Sequence, residues 1–198
     1  MSAPKRLTGN QRRDQIVSAT SALFARRGFR AASTAELAEA AGISDGLIFR
    51  YFPTKADLYE AVLDRAVGLL EQAVRKHVDP KAPPERQFEQ TVRAAAEFAG
   101  TDQDAWQNLT SSGGDEWLIK RQHTQYRRAV KAVSRLMARD AKSRSAPVAP
   151  TQLERYATLA AGAGVALVNV CIGAGDIEPV IAFFVGGVWG GFEHGIDE

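Results

Sequence analysis

One stretch of the sequence, Glu36–Lys55 (ELAEAAGISDGLIFRYFPTK), constrains the fold more than any other. Helical spacing of apolar residues breaks at Gly42 and resumes after Ser44, and the stretch ends in aromatic residues and a proline. Two short helices joined by a turn of about three to four residues containing glycine form a helix-turn-helix. The sequence therefore predicts a first helix, a turn and a second helix at Thr34–Ala40, Ala41–Ile43 and Ser44–Tyr51.

The residue types in this stretch suit a close crossing of two helices. Ala38 and Ala41 are small, and Gly42 allows the positive φ that a sharp turn requires. A small core should close around them, formed by Phe24, Leu37, Ile43, Ile48 and Phe52. The second helix would then present its outer face to a groove about 12 Å wide, the width of the DNA major groove.

The charge distribution points to the same end of the chain. Residues 1–55 hold nine Lys/Arg against four acidic residues, whereas the remainder holds 16 against 19. A basic N-terminal quarter on a mildly acidic body indicates a head that binds a polyanion. A solvated basic surface explains the charge alone equally well.

Nearly every periodic segment of the chain indicates helix, so the predicted fold class is all-α. Gly28 should stop the first helix as a left-handed cap, and capping boxes should start helices at Ser33 and Thr151. Proline-bearing loops are expected at 79–84 and 143–150. About nine helices are predicted, near 10–27, 34–40, 44–51, 54–77, 84–99, 102–111, 115–140, 151–172 and 177–193.

The run STAELAEAAGISDGLIFRYFPTKADL closely resembles the DNA-binding signature of the tetracycline-repressor (TetR) family of bacterial transcriptional regulators. The resemblance covers about residues 10–65, and the rest of the chain matches only in length and helical pattern. It implies a three-helix DNA-binding domain at 1–54 and a helical ligand-binding and dimerisation domain at 55–198.

The resemblance also implies DNA-contacting residues. Thr34, Tyr51 and Lys55 would contact phosphates, whereas Ser44, Gly46 and Leu47 would lie near base edges or the DNA backbone. Phe49 stands where the family usually has a DNA-contacting tyrosine, and it lacks the hydroxyl. The full predicted set is Thr34, Ser44, Asp45, Gly46, Leu47, Phe49, Arg50, Tyr51 and Lys55.

Some of these residues have two interpretations. Asp45 is interpreted first as a helix cap and second as an acceptor from a cytosine amino group. Arg50 could contact guanine or a phosphate, and Tyr51 could pack instead of contacting DNA, whereas Phe52 is expected to pack. Four N-terminal cations could form an arm along or into the minor groove, or a disordered solubilising tail: Lys5, Arg6, Arg12 and Arg13.

Aromatic and polar residues alternate in the middle of the chain. We interpret this set as a pocket for a small apolar or aromatic ligand, although ordinary core explains any single member. A stripe of Ile119, Gln122, Tyr126, Val130, Val133 and Met137 is expected to face inward, which would place an amide in the core. The predicted ligand-binding residues are Phe88, Phe98, Trp106, Trp117, Gln122, His123 and Tyr126. His123 has no second ligand-spaced partner, so no metal site is predicted.

The last two predicted helices are rich in small residues and lack charge over residues 157–175 and 179–192. Small residues favour close helix packing, so these helices predict a four-helix homodimer interface and not a membrane span. Cys171 is expected to be a small buried apolar residue. One cysteine and no apolar leader favour the cytoplasm.

No catalytic set, phosphate loop or cofactor motif is present in the sequence, so an enzyme is a remote alternative. Another is an interaction module whose helix-turn-helix binds protein. The sequence predicts a dimeric transcriptional repressor that binds a palindromic operator and responds to a small-molecule effector, without a cofactor. An activator or a corepressor-dependent regulator of the same fold is the nearer alternative.

Overall fold

The computed structural model describes residues 8–111, 115–146 and 148–197 of the chain. Every regular element in these ranges is an α-helix, as predicted. The helices are α1 (Gly9–Ala31), α2 (Thr34–Ala40), α3 (Asp45–Tyr51), α4 (Lys55–His77), α5 (Pro84–Thr101), α6 (Gln103–Thr110), α7 (Glu116–Ser143), α8 (Pro150–Cys171) and α9 (Glu178–Asp197). None of the helices in the described ranges combines the length and apolar character needed to cross a membrane.

Glycines interrupt the backbone where the sequence indicates. Gly42 has φ +65° in the turn between α2 and α3, and Gly28 has φ +74° inside α1. Its ψ of 166° lies outside the left-handed helical range, and helical backbone resumes after this kink and ends at Ala31. The predicted break of the helix at Gly28 is confirmed, whereas the predicted left-handed cap is wrong.

Side-chain capping explains the starts of α1, α2 and α4 but not the start of α8. Ser33 and Glu36 form the predicted capping box. The box predicted at Thr151 is wrong, because α8 starts at Pro150 with Ala149 as its N-cap and no side-chain capping bond. A proline has no amide hydrogen to satisfy and a φ suited to the first helical position, so Pro150 sets the start.

The described residues up to Leu69, together with those between Asp104 and Ser111, form a first compact unit. Its core contains Phe24, whose ring centroid lies 4.6 Å from that of Tyr59. α6 belongs to this unit: the buried Asn108 Nδ2 donates to the backbone oxygen of Ser21 at 3.0 Å. The predicted domain boundary between Thr54 and Lys55 stays a prediction.

Leu70–Gln103 and the described residues from Asp115 onward form the second unit. Here one face of α9 is buried at steps of three and four residues, and its fully buried residues are Ile181, Trp189 and Phe192. Trp189 packs against Phe88 of α5, with 5.7 Å between ring centroids. Cys171 is buried as predicted, and burial raises the pKa of its thiol.

The stripe predicted on α7 is correct in its C-terminal half. Val130, Val133 and Met137 are buried, but Ile119 is 53% exposed, so its expected inward position is wrong. Periodicity fixes the direction of a side chain and not how far along a helix the packing partners extend. At the start of α7, Leu118 is the buried residue.

Candidate nucleic-acid interface

The second helix of the predicted helix-turn-helix, α3, is buried on one side and open on the other. Ile48 and Phe52 are at most 3% exposed and anchor it to the core. The exposed positions are Ser44, Asp45, Gly46, Phe49 and Arg50, while Leu47 and Tyr51 are half-buried. The predicted packing of Phe52 is therefore confirmed, and α3 has a face free to meet another molecule.

The start of α3 differs from the sequence-based interpretation. Ser44 occupies the N-cap position but makes no side-chain capping bond. No hydrogen bond to the Asp45 carboxylate occurs within the described residues either, so hydrogen-bonded capping by Asp45 is not found. A carboxylate in the first turn still interacts favourably with the positive end of the helix dipole.

The capping box before α2 fixes the position of Thr34. The backbone N–H of Ser33 donates to Glu36 Oε2 at 3.0 Å, and the N–H of Glu36 donates to Ser33 Oγ at 3.3 Å. The Ser33 backbone and hydroxyl bonds, together with the Arg27 guanidinium, hold the pKa of the Glu36 carboxyl below its usual value. Thr34 is thereby placed half-buried in the first turn of α2, where its phosphate contact stays a prediction.

Lys55 has an intramolecular role that sequence reasoning missed. Its Nζ donates to the backbone oxygens of Ala32 at 3.0 Å and Arg30 at 3.3 Å. It also lies 4.7 Å from the centre of the Phe29 ring. A cation at the last carbonyls of a helix stabilises that end, so Lys55 secures the C-terminus of α1. Its predicted phosphate contact remains untested.

Arg13 makes a similar pair of contacts at the end of α3. Its Nη1 donates to the backbone oxygen of Tyr51 at 2.7 Å, and its guanidinium carbon lies 4.1 Å from the centre of the Phe52 ring. Arg12, also in α1, donates to Gln15 Oε1 at 2.9 Å. Both arginines lie on a helix, so the disordered-tail interpretation is wrong for them, whereas their contact with the minor groove stays a prediction. Lys5 and Arg6 lie outside the described residues.

The predicted ligand-binding residues are divided between the two units. Trp106 is buried in the first unit, and the other six belong to the second. Phe88 and Phe98 are buried, Trp117, Gln122 and Tyr126 are half-buried, and His123 is exposed. The Tyr126 hydroxyl donates to the backbone oxygen of Thr158 at 2.7 Å, which links α7 to α8.

Sequence reasoning missed the aromatic cluster that α9 forms with Phe88. The Nε1–H of Trp189 in this cluster is buried and has no hydrogen-bond partner among the described residues. The sequence contains a signal for this cluster, since Ile181, Val185 and Trp189 recur every four residues.

A separate open cavity of about 480 Å³ contains none of the predicted ligand residues. It is lined by Ala138, Ala141, Lys142, Ser145, Ala146, Val148 and Leu153. No set of side chains suited to hold a metal ion occurs in the described residues.

Comparisons with known proteins single out the helix-turn-helix. Residues 16–62 match the model of the bacterial regulatory proteins of the tetR family. The chain is similar to the HTH-type transcriptional activator FasR of Mycolicibacterium smegmatis, with 33% identity over 101 residues. That alignment covers 51% of this chain and 46% of FasR, so the chain spans less than half of that relative.

Solved structures extend the likeness to the whole fold. A TetR-like transcriptional regulator from Rhodococcus sp. RHA1 superposes with a TM-score of 0.81 at 21% identity, covering 95% of this chain and 99% of that one. AibR, solved with isovaleryl coenzyme A and operator DNA, gives a TM-score of 0.64 at 18% identity, covering 88% and 96% of the two chains. At these identities the likeness shows a shared fold.

Proposed function

Since residues 16–62 place this chain in the tetR family of bacterial regulatory proteins, we propose that it regulates transcription by binding double-stranded DNA through α3. One observation carries the proposal. Within the segment that matches the family, α3 is fixed to the core by Ile48 and Phe52 and leaves its polar face open. A single helix of this kind fits the major groove of B-DNA.

The residues on and around α3 divide into two chemical groups. Thr34, Tyr51 and Lys55 offer hydroxyls and an ammonium, which would set the position of the protein on the phosphate backbone. Arg50 offers a planar guanidinium that can make two hydrogen bonds to guanine. Arg50 is therefore the residue proposed to discriminate between sequences.

We extend the proposal to a homodimer formed through α8 and α9. Leu159 and Val170 of α8 are at least 70% exposed, and Phe183 of α9 is 84% exposed. An added methyl group at Gly186, Gly187, Gly190 or Gly191 would meet no atom within 4 Å, so this side of α9 is open. Two copies joined here would match a palindromic operator.

The body is proposed to bind a small apolar or aromatic effector. The support is the aromatic cluster around Phe88, in which the Trp189 Nε1–H is an unused donor. Binding would shift the population of dimer conformations and change operator affinity. We propose repression, with effector binding releasing DNA. Activation is the second candidate, because FasR is named a transcriptional activator. Either role places the protein with the bacterial DNA, in the cytoplasm.

Selection of bound fragments from a genomic DNA pool by the full-length protein tests the proposal. A shared palindromic sequence is expected to be enriched. Arg50→Ala should then reduce discrimination at one base pair by about 1–3 kcal/mol.

Lys76→Ala is the control, because Lys76 is an exposed cation of the second unit. It should leave discrimination unchanged. If no sequence is enriched, DNA regulation is rejected; if Arg50→Ala discriminates like the wild type, the role of Arg50 is wrong.

A further inference from the structure

The longest helix of the second unit, α7, carries an unusual charge. Between Glu116 and Ser143 it holds eight Lys/Arg and two acidic residues, although the whole chain has a net charge of only +2. At 100° per residue, five exposed cations fall within about 100° of the helix circumference. We call them the α7 basic face: Arg127, Arg128, Lys131, Arg135 and Lys142.

Four of the seven Lys/Arg residues of the second unit outside α7 form ion pairs with acidic residues. Arg93 lies 2.9 Å from Glu89, and Arg75 lies 3.3 Å from Glu71. By contrast, no carboxylate of the described residues lies within 4.0 Å of any cation of the α7 basic face. Its positive charge is therefore not neutralised by the described part of its own chain.

The spacing on α7 also opposes helix stability. Arg127, Lys131, Arg135 and Arg139 follow one another at four-residue steps, which brings like charges together along the helix. Each such like-charge pair destabilises an isolated helix. An external polyanion would remove this repulsion when bound.

We propose that the α7 basic face binds the phosphate backbone of duplex DNA independently of sequence. From Arg127 to Lys142 the α7 basic face spans about 22 Å along the helix, and arginine is suited to paired hydrogen bonds with phosphate oxygens. The face goes beyond the function proposed for α3 and does not depend on it, because phosphate contacts require no base recognition.

Two other partners fit the face less well. A lipid surface normally takes up large apolar side chains beside the cations, and on this arc between Thr124 and Lys142 the neutral residues are only Thr124 and Ala138. A second copy of the chain would have to place several carboxylates at matching spacing, whereas duplex DNA carries a negative charge about every 1.7 Å along its axis. Charge and composition together favour nucleic acid.

The experiment measures affinity of the full-length protein for a random-sequence duplex as a function of salt. In the test variant, Arg127, Arg128, Lys131 and Arg135 are all changed to Gln. The slope of log K against log salt concentration is negative, and each lost phosphate contact makes it less steep by about 0.9. The test variant is therefore expected to have a slope less steep by roughly 2–4. Removing the like-charge pairs should leave thermal stability equal or higher, which excludes unfolding as the cause.

A charge-matched control changes Arg75, Lys76, Lys81 and Arg86 to Gln, all exposed cations of the second unit outside α7. The proposal is overturned if the test variant keeps the wild-type slope or shifts it no more than this control does. It is also overturned if the test variant loses binding to phosphatidylserine vesicles while its DNA slope is unchanged.

The result is separable from the function proposed for α3. Suppose that no operator sequence is enriched, but the test variant still has a less steep salt dependence of DNA binding than the wild type. The proposed role of the α7 basic face is then supported, and operator recognition by α3 is rejected. If Arg50→Ala loses discrimination and the α7 variant behaves like its control, operator recognition stands and the α7 face is rejected.

Discussion

The outer face of α3 and the outer faces of α8 and α9 are both exposed, but they expose opposite chemistry. α3 presents Ser44, Asp45 and Arg50, with Phe49 at 44% as its exposed large apolar side chain. α8 and α9 present Leu159, Val170 and Phe183, the last at 84%. Exposure alone thus marks where a partner could bind. The composition of each face indicates which partner it suits, a polyanion for α3 and a second apolar surface for α8 and α9.

Phe183→Glu tests whether the apolar faces of α8 and α9 form a dimer, and it has the largest expected effect. The side chain has few contacts in its own chain, so folding should be unaffected. If Phe183 is covered in a dimer, a buried unpaired carboxylate should weaken dimerisation at least 100-fold, about 2.7 kcal/mol. Sedimentation equilibrium over a concentration series measures this effect.

Gln72→Glu is the control for that change, since Gln72 is exposed on α4 and gains the same charge. It should leave the association constant unchanged. A Phe183→Glu protein that dimerises like the wild type would show that the apolar faces of α8 and α9 have another purpose.

The two regions also differ in how far the sequence predicts them. In the first unit, local signals suffice: Ser33 with Glu36, and Gly42, fix where helices start and turn. The contacts of Arg13 and Lys55 with distant carbonyls are not predictable from local sequence patterns, because the tertiary fold creates them. Arg13 is 38 positions from Tyr51 in the chain, and Lys55 is 25 positions from Arg30. Likewise, no local pattern indicates that Asn108 of α6 would bond to Ser21.

In the second unit, periodicity predicts helices but not their neighbours. The stripe through Met137 is correct, while Ile119 shows that direction does not ensure burial. The lack of charge in the α9 sequence predicts an interface. The structure shows two faces, one burying Trp189 and one exposing Phe183, and separating them required the positions of the packed helices.

Arg13→Met sharpens the distinction between cations that contact DNA and cations that hold α3. Methionine keeps part of the apolar contact with Phe52 but loses the hydrogen bond to the Tyr51 oxygen. Arg13 is exposed, so we expect the unfolding free energy to fall by only about 1–2 kcal/mol. Operator affinity should fall about tenfold, because the C-terminal end of α3 is less firmly held.

The salt dependence of operator binding distinguishes the two roles of Arg13. If Arg13 only positions α3, Arg13→Met leaves the slope of log K against log salt concentration unchanged. If Arg13 contacts a phosphate, the loss of that contact makes the slope less steep by about 0.9. Arg12→Met is the matched control in the same turn of α1 and should not weaken the hold on α3, because Arg12 bonds to Gln15. A decrease in slope for Arg13→Met would assign Arg13 to the DNA backbone.

Gly46→Ala has the smallest expected effect and tests how closely DNA approaches α3. A methyl group at Gly46 would meet no atom of the protein within 4 Å, so alanine fits without strain. Alanine should raise the unfolding free energy by about 0.4–1 kcal/mol, yet reduce operator affinity several-fold if a groove edge lies against this position. Gly68→Ala is the matched control, because Gly68 lies on α4 with equally open space around it. It should stabilise the protein to a similar extent without any loss of affinity. Equal operator affinity for both variants would place Gly46 away from the DNA and leave Arg50 and the backbone-contacting residues as the recognising part of α3.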